Sequence, residues 1–67
     1  MYLQLFIARR ENRLTQNHMA DVLGIHRISY HAKESGKTDF TLREAIKLAE
    51  YFNRSLDDLF GSLRGEL

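Results

Sequence analysis

Cysteine is absent from all 67 residues, so neither a disulfide framework nor a thiolate metal site can add stability to this chain. A reducing cytosol is therefore permitted. Proline is absent as well, and glycine occurs only at Gly24, Gly36, Gly61 and Gly65. Such sparse punctuation suits short helices and gives little sign of strands. No apolar run approaches the ~20 residues needed to cross a bilayer, and the N-terminus lacks a basic segment followed by an apolar core. No membrane span is expected, and the expected location is cytoplasmic. His18, His26 and His31 do not have the i, i+4 placement of a helical zinc pair, and no carboxylate clusters with them. Neither a metal nor a cofactor is expected. No Ser, His and acid constellation, Gly-rich phosphate loop or pair of buried carboxylates can be placed in so small a helical chain, which argues against an enzyme.

Strong charge of one sign is also missing, since the formal net charge is only +1. Its distribution says more than its total. Residues 1–43 carry seven Lys or Arg against four acids, for +3, whereas residues 44–67 carry three against five, for −2. The basic half could orient the molecule on a phosphate backbone. A chain of this length buries only about 60% of the surface its unfolded form exposes, so residues 1–67 are read as a single domain with a small core.

What is present is a set of short apolar periodicities. A first helix over roughly Tyr2 to Asn12 turns Leu5, Ala8 and Leu3 inward, and Leu14 seals the link to the next. Tyr2, Phe6 and Ile7 are then in surplus, to be packed against the C-terminal segment or left as an exposed patch. Thr41-Leu42-Arg43-Glu44 has the spacing of a capping box. Leu42, Ala45, Ile46, Ala49 and Phe52 follow it as a core stripe. Ser55 and Asp58 repeat the capping pattern in front of Leu56, Leu59, Phe60 and Leu63. The fold expected is all-α, with five helices.

The stretch from Thr15 to Gly36 is the centre of the chain and has the spacing of a helix-turn-helix. Thr15 caps a helix whose apolar stripe is Met19, Ala20 and Leu23, and Gly24 ends it by allowing a left-handed residue. Ile25 tucks under the turn, and a second helix runs from about Arg27 to Glu34. Between Ile25 and Glu34 there is no acid. With Tyr30 turned inward, the face bearing Arg27, Ile28, His31 and Ala32 can lie in a major groove.

These residues resemble the Cro/cI-type (XRE-like) helix-turn-helix family of phage and bacterial repressors. The match runs without a gap from Leu5 to Phe60, through L-T-Q at Leu14 to Gln16, L-G-I at Leu23 to Ile25, E-x-G-K at Glu34 to Lys37, and S-L-D-D-L-F at Ser55 to Phe60. The run from Lys33 to Ala45 is similar to a version common in small regulators of Gram-positive phages and mobile elements. The resemblance implies a lambda-repressor-like five-helix domain in which Gln16 touches the DNA backbone. It also implies that Arg9 pairs with Glu34, bracing the first helix against the end of the recognition helix. Lys33 and Phe40 depart from the apolar residue and the proline that many members carry there.

The candidate DNA-binding residues are Gln16, His26, Arg27, Ile28, Ser29, His31, Ala32, Ser35 and Lys37. A guanidinium at Arg27 can donate twice to guanine, or else contact phosphate; Ile28 can pack on a thymine methyl, or else within the protein. Ser29 and His31 suit a base edge or the backbone, and Ala32 allows close approach. His26 takes the N-cap of the recognition helix, though its ring could instead reach a phosphate. Ser35 and Lys37, beside Gly36, suit phosphate or ordinary solvation. The expected partner is double-stranded DNA, as a palindromic operator bound by a homodimer through Leu56 to Leu63 together with Tyr2, Phe6 and Ile7. The expected function is transcriptional regulation, as a repressor. Alternatives are an antitoxin or excision-control protein on the same fold, or an interaction adaptor that has lost DNA binding.

Overall fold

A computed structural model describes residues 1–64, with side chains through residue 61. Among these residues the chain forms five helices and no strand: α1 (Leu3–Glu11), α2 (Gln16–Leu23), α3 (Arg27–Ser35), α4 (Leu42–Phe52) and α5 (Leu56–Arg64). The side chain of Leu63 lies outside the described residues.

Most of the boundaries from α2 onward have a local cause. Thr15 Oγ1 accepts the His18 N–H at 3.0 Å and starts α2, and Ser55 Oγ accepts the Asp58 N–H at 3.0 Å to start α5. At α4 the reciprocal box forms, with Glu44 N–H donating to Thr41 Oγ1 at 3.1 Å and Thr41 N–H donating to Glu44 Oε1 at 2.9 Å. Helices α2, α3 and α4 all end at a left-handed residue, Gly24, Gly36 and Asn53. Both helices of the motif close the same way. Ile25 N–H reaches back to the Ala20 carbonyl at 3.0 Å, and Lys37 N–H to the Ala32 carbonyl at 2.9 Å, which satisfies carbonyls a helix end would otherwise orphan.

Helix α1 packs on α5, α2 on α3, and α4 touches both α5 and α2. Leu5, Ala8, Met19, Ala20, Leu23, Tyr30, Leu48, Ala49 and Leu59 are buried at their centre. A fully buried leucine contributes roughly 1.5–3 kcal/mol, so these few side chains carry much of the fold.

Two expectations about the core need correction. Leu3 points outward, and Leu42 and Ile46 are 70% and 41% exposed. The buried pair on α4 is Leu48 and Ala49, with Phe52 partly buried behind them. Leu42 and Ile46 lie along the outer edge of that face, in line with Ala49, and a layer of short helices covers only one side of α4. Of the surplus apolar residues at the N-terminus, Tyr2 is buried rather than left on the surface. Its ring centroid lies 5.4 Å from both Phe40 and Phe60, and its hydroxyl donates to Asp39 Oδ1 at 3.1 Å. Burial, and then the bond to Asp39, push the Tyr2 hydroxyl above its ordinary pKa, so it stays a donor. Phe6 and Ile7 are partly buried, with the guanidiniums of Arg9 and Arg10 each 5.5 Å from the Phe6 ring.

Candidate nucleic-acid interface

Helix α3 is held from one side only. Tyr30 and Glu34, one turn apart, are its buried residues, while Arg27, Ile28, Ser29 and His31 are exposed. The buried carboxylate of Glu34 is saturated. Oε2 accepts from Arg9 Nε at 2.9 Å and from the Tyr30 hydroxyl at 2.7 Å, while Oε1 accepts from Arg9 Nη2 at 3.1 Å and from Gln16 Nε2 at 3.0 Å. Arg9 spends its remaining arm on the Leu14 carbonyl at 2.8 Å. Burial alone would push the Glu34 carboxyl up, but the bonds from Arg9, Gln16 and Tyr30 and the arginine charge outweigh it and hold it below the usual carboxylate range. Burial, then the bond to Glu34, drive the Tyr30 phenol far upward, so it too remains a donor. A bidentate ion pair so satisfied fixes the roll of α3 about its own axis.

The exposed edge of α3 carries the groove-facing candidates. Ile28 is 65% exposed, so it is not packed within the protein and its apolar side chain is open to an external partner. Arg27 and Lys37 enter no ion pair among the described residues, which leaves both cations free for an external anion. Ala32 is partly buried at the rim of this face. His26 caps α3, its Nδ1 accepting the Ile28 N–H at 3.2 Å, with the other edge of the ring toward solvent.

Three candidates are more occupied than their positions in the sequence suggest. Gln16 opens α2, but its amide is shared between Glu34 and His31, whose Nδ1 lies 3.0 Å from Gln16 Oε1. One amide hydrogen remains for a phosphate. Ser35 donates its hydroxyl to the Ala32 carbonyl at 3.0 Å and so has no proton left for a phosphate, which is itself only an acceptor. His31 is exposed yet held by Gln16. Spacing alone did not pair Gln16 with His31, since they lie fifteen residues apart on different helices.

Lys33 also has a place that sequence alone did not supply. Its Nζ lies 2.9 Å from Glu44 Oε1, donates to the Asp39 carbonyl at 3.1 Å, and sits 5.9 Å from the centre of the Phe40 ring. Both departures from the family pattern thus meet in one contact, which ties the end of α3 to the start of α4. The signal in the sequence was an acid in the capping box facing an otherwise unexplained lysine. Among the described residues no group of His, Asp or Glu is placed to hold a metal ion, and no helix is long and apolar enough to cross a membrane.

Comparison with known proteins agrees with this geometry. A family model described as helix-turn-helix matches residues 5–59. MJ0272 of Methanocaldococcus jannaschii, an uncharacterized HTH-type transcriptional regulator, is 38% identical over 52 residues, covering 78% of this chain and 79% of its own length. YqaE of Bacillus subtilis, also an uncharacterized HTH-type transcriptional regulator, is 40% identical over 58 residues, covering 87% of this chain but 47% of its own length. The chain thus spans about four-fifths of one relative and just under half of the other. No solved structure matches it significantly. With five helices, a left-handed glycine between the second and third, and a family match covering most of its length, the chain belongs to the XRE-like helix-turn-helix family.

Proposed function

We propose that this chain binds double-stranded DNA and regulates transcription, acting in the cytoplasm as a repressor that occupies a palindromic operator as a homodimer. The observation that carries this reading is the split between the two faces of α3: Tyr30 and Glu34 lock one, and Arg27, Ile28, Ser29 and His31 are exposed on the other. Phosphate contacts from Lys37 and the outer edge of His26 would supply most of the affinity, and base contacts from Arg27 and its neighbours on α3 the preference. The names of the two relatives favour the same function.

The dimer surface we favour differs from the one suggested by the N-terminal apolar residues, because Tyr2 is consumed inside the fold. Leu42, Ile46 and Leu56 are exposed instead, beside two separate hollows that share Leu56, one lined by Ile46 and Ala49 and the other by Leu42, Ala45 and Phe60. Two recognition helices held about 34 Å apart would read both halves of a palindrome.

A mobility-shift titration with random duplex DNA at low salt tests the reading directly. Retardation that weakens as salt rises is expected. Failure to retard duplex DNA at tens of micromolar protein would leave the fold without this function.

A further inference from the structure

His26 and His31 stand on the same exposed helix, and the protein around them dictates which ring nitrogen of each carries the proton. Glu34 is held as a carboxylate and can only accept, so the Gln16 atom 3.0 Å from it must be the amide nitrogen. The amide oxygen of Gln16 therefore faces His31 Nδ1 at 3.0 Å. An amide oxygen also only accepts. The proton must then sit on Nδ1 of His31, and in the neutral ring Nε2 presents a lone pair to solvent. His26 is the reverse case. Its Nδ1 accepts the Ile28 N–H at 3.2 Å, so its proton sits on Nε2, and the outer edge of that ring is a donor.

The two rings therefore select opposite partners. Phosphate oxygens accept hydrogen bonds and cannot donate, so neutral His31 has nothing to offer the backbone. The donors in a major groove are the amino groups of adenine N6 and cytosine N4. We propose that His31 is a specificity-determining residue that accepts from one such base amino group, that Gln16 is its positioning residue, and that His26 donates to a phosphate. The proposal rests on the DNA-binding reading above. It also connects the buried Arg9–Glu34 pair to the surface, because the same carboxylate that anchors α3 orients the amide that sets the His31 ring.

Long-range proton–nitrogen correlation of the ring nitrogens, recorded on free protein where both rings are neutral, tests the first half. Expected are Nδ1–H for His31 and Nε2–H for His26, with Gln16→Ala returning His31 to the Nε2–H form that dominates a free histidine. One shared tautomer for both rings would overturn the proposal. Selection from a random duplex pool tests the second half. His31→Ala should flatten the preference at one position of each half-site, weakening the preferred site roughly two- to tenfold, the range for one hydrogen bond. Gln16→Ala should flatten the same position, and the double substitution should go no further. Replacing the amino group of that base by hydrogen should abolish the preference of the wild type and leave His31→Ala unmoved, while His26→Ala should weaken all sequences alike. Binding with unchanged preferences in His31→Ala sinks this proposal alone; absence of any duplex binding by the wild type sinks the reading beneath it.

Discussion

Lys33 and Glu44 meet at 2.9 Å across the loop that joins α3 to α4, and the same carboxylate oxygen also accepts the Thr41 N–H that closes the capping box. One acid thus fixes both the entry to α4 and the exit from α3. Burial raises the Glu44 carboxyl, but the Thr41 N–H and Lys33 outweigh it and leave it below the ordinary range. Lys33→Met should cost under about 1 kcal/mol, as for a modestly shielded ion pair. Glu44→Ala should cost more, because the Glu44 half of the capping box goes with it. Equal unfolding midpoints for the two variants would show that Glu44 serves only the lysine.

Glu34→Ala should be far more damaging, at about 3–5 kcal/mol, because it leaves Arg9 buried and unpaired. The loss should appear as a large fall in the denaturant midpoint. A change within error would refute a buried, mutually dependent pair.

Acid should weaken the fold through the same group. The folded Glu34 carboxyl titrates below its ordinary value of 4.5, so below that pH the unfolded chain takes up protons first. Stability is fully present above that value and falls as pH drops through the folded one, with Glu44 contributing in the same direction. Glu34→Gln should flatten the slope in this acid window. If its slope matched the wild type, the acid sensitivity would belong to other carboxyls.

The two turn glycines should respond differently to alanine. Gly24 has φ +70° and open space where a Cβ would go, so Gly24→Ala should cost about 1–2 kcal/mol from backbone strain alone. At Gly36, φ is +92° and a Cβ would lie 2.9 Å from the Met1 backbone nitrogen, so Gly36→Ala should cost more. Thermal unfolding of the two variants side by side decides the order.

On DNA, Arg27→Ala should cost about 1–3 kcal/mol on the preferred site and relax the preference at one base pair of each half-site. Lys37→Ala should weaken all sequences nearly equally and lower the salt slope by about one per subunit bound. Were Arg27→Ala to change only the salt slope, Arg27 would be a backbone contact. For Ile28, uracil in place of thymine at one position should blunt the preference with little salt dependence.

Much of this structure is legible in the residues, and what is not has a common cause. Thr15, Gly24, Gly36 and the Thr41–Glu44 box act within one turn of helix, where side chain and backbone meet by local geometry alone. Tyr2 against Phe40 and Phe60, by contrast, joins residues far apart in sequence, so its burial could not be read from the periodicity of α1. The stripe on α4 holds at Ala45, Ala49 and Phe52 but fails at Leu42 and Ile46, because periodicity gives the angle of an apolar face but not how far neighbouring helices reach around it. Of the candidate site, the exposed residues of α3 follow from position in the motif. The engagement of Gln16, His31 and Ser35 depends on where rotamers settle once three helices have packed.

A single carboxylate accepts from the first, second and third helices at once, and this governs how freely the reading head moves. Helix α3 cannot roll or slide without breaking several buried bonds together, so its opening should track global unfolding in hydrogen exchange. DNA would then meet a helix whose entropy was given up when the chain folded. Substitutions at Arg27 or Ile28 would redirect preference without slackening that grip, whereas changes at Gln16 would alter both together.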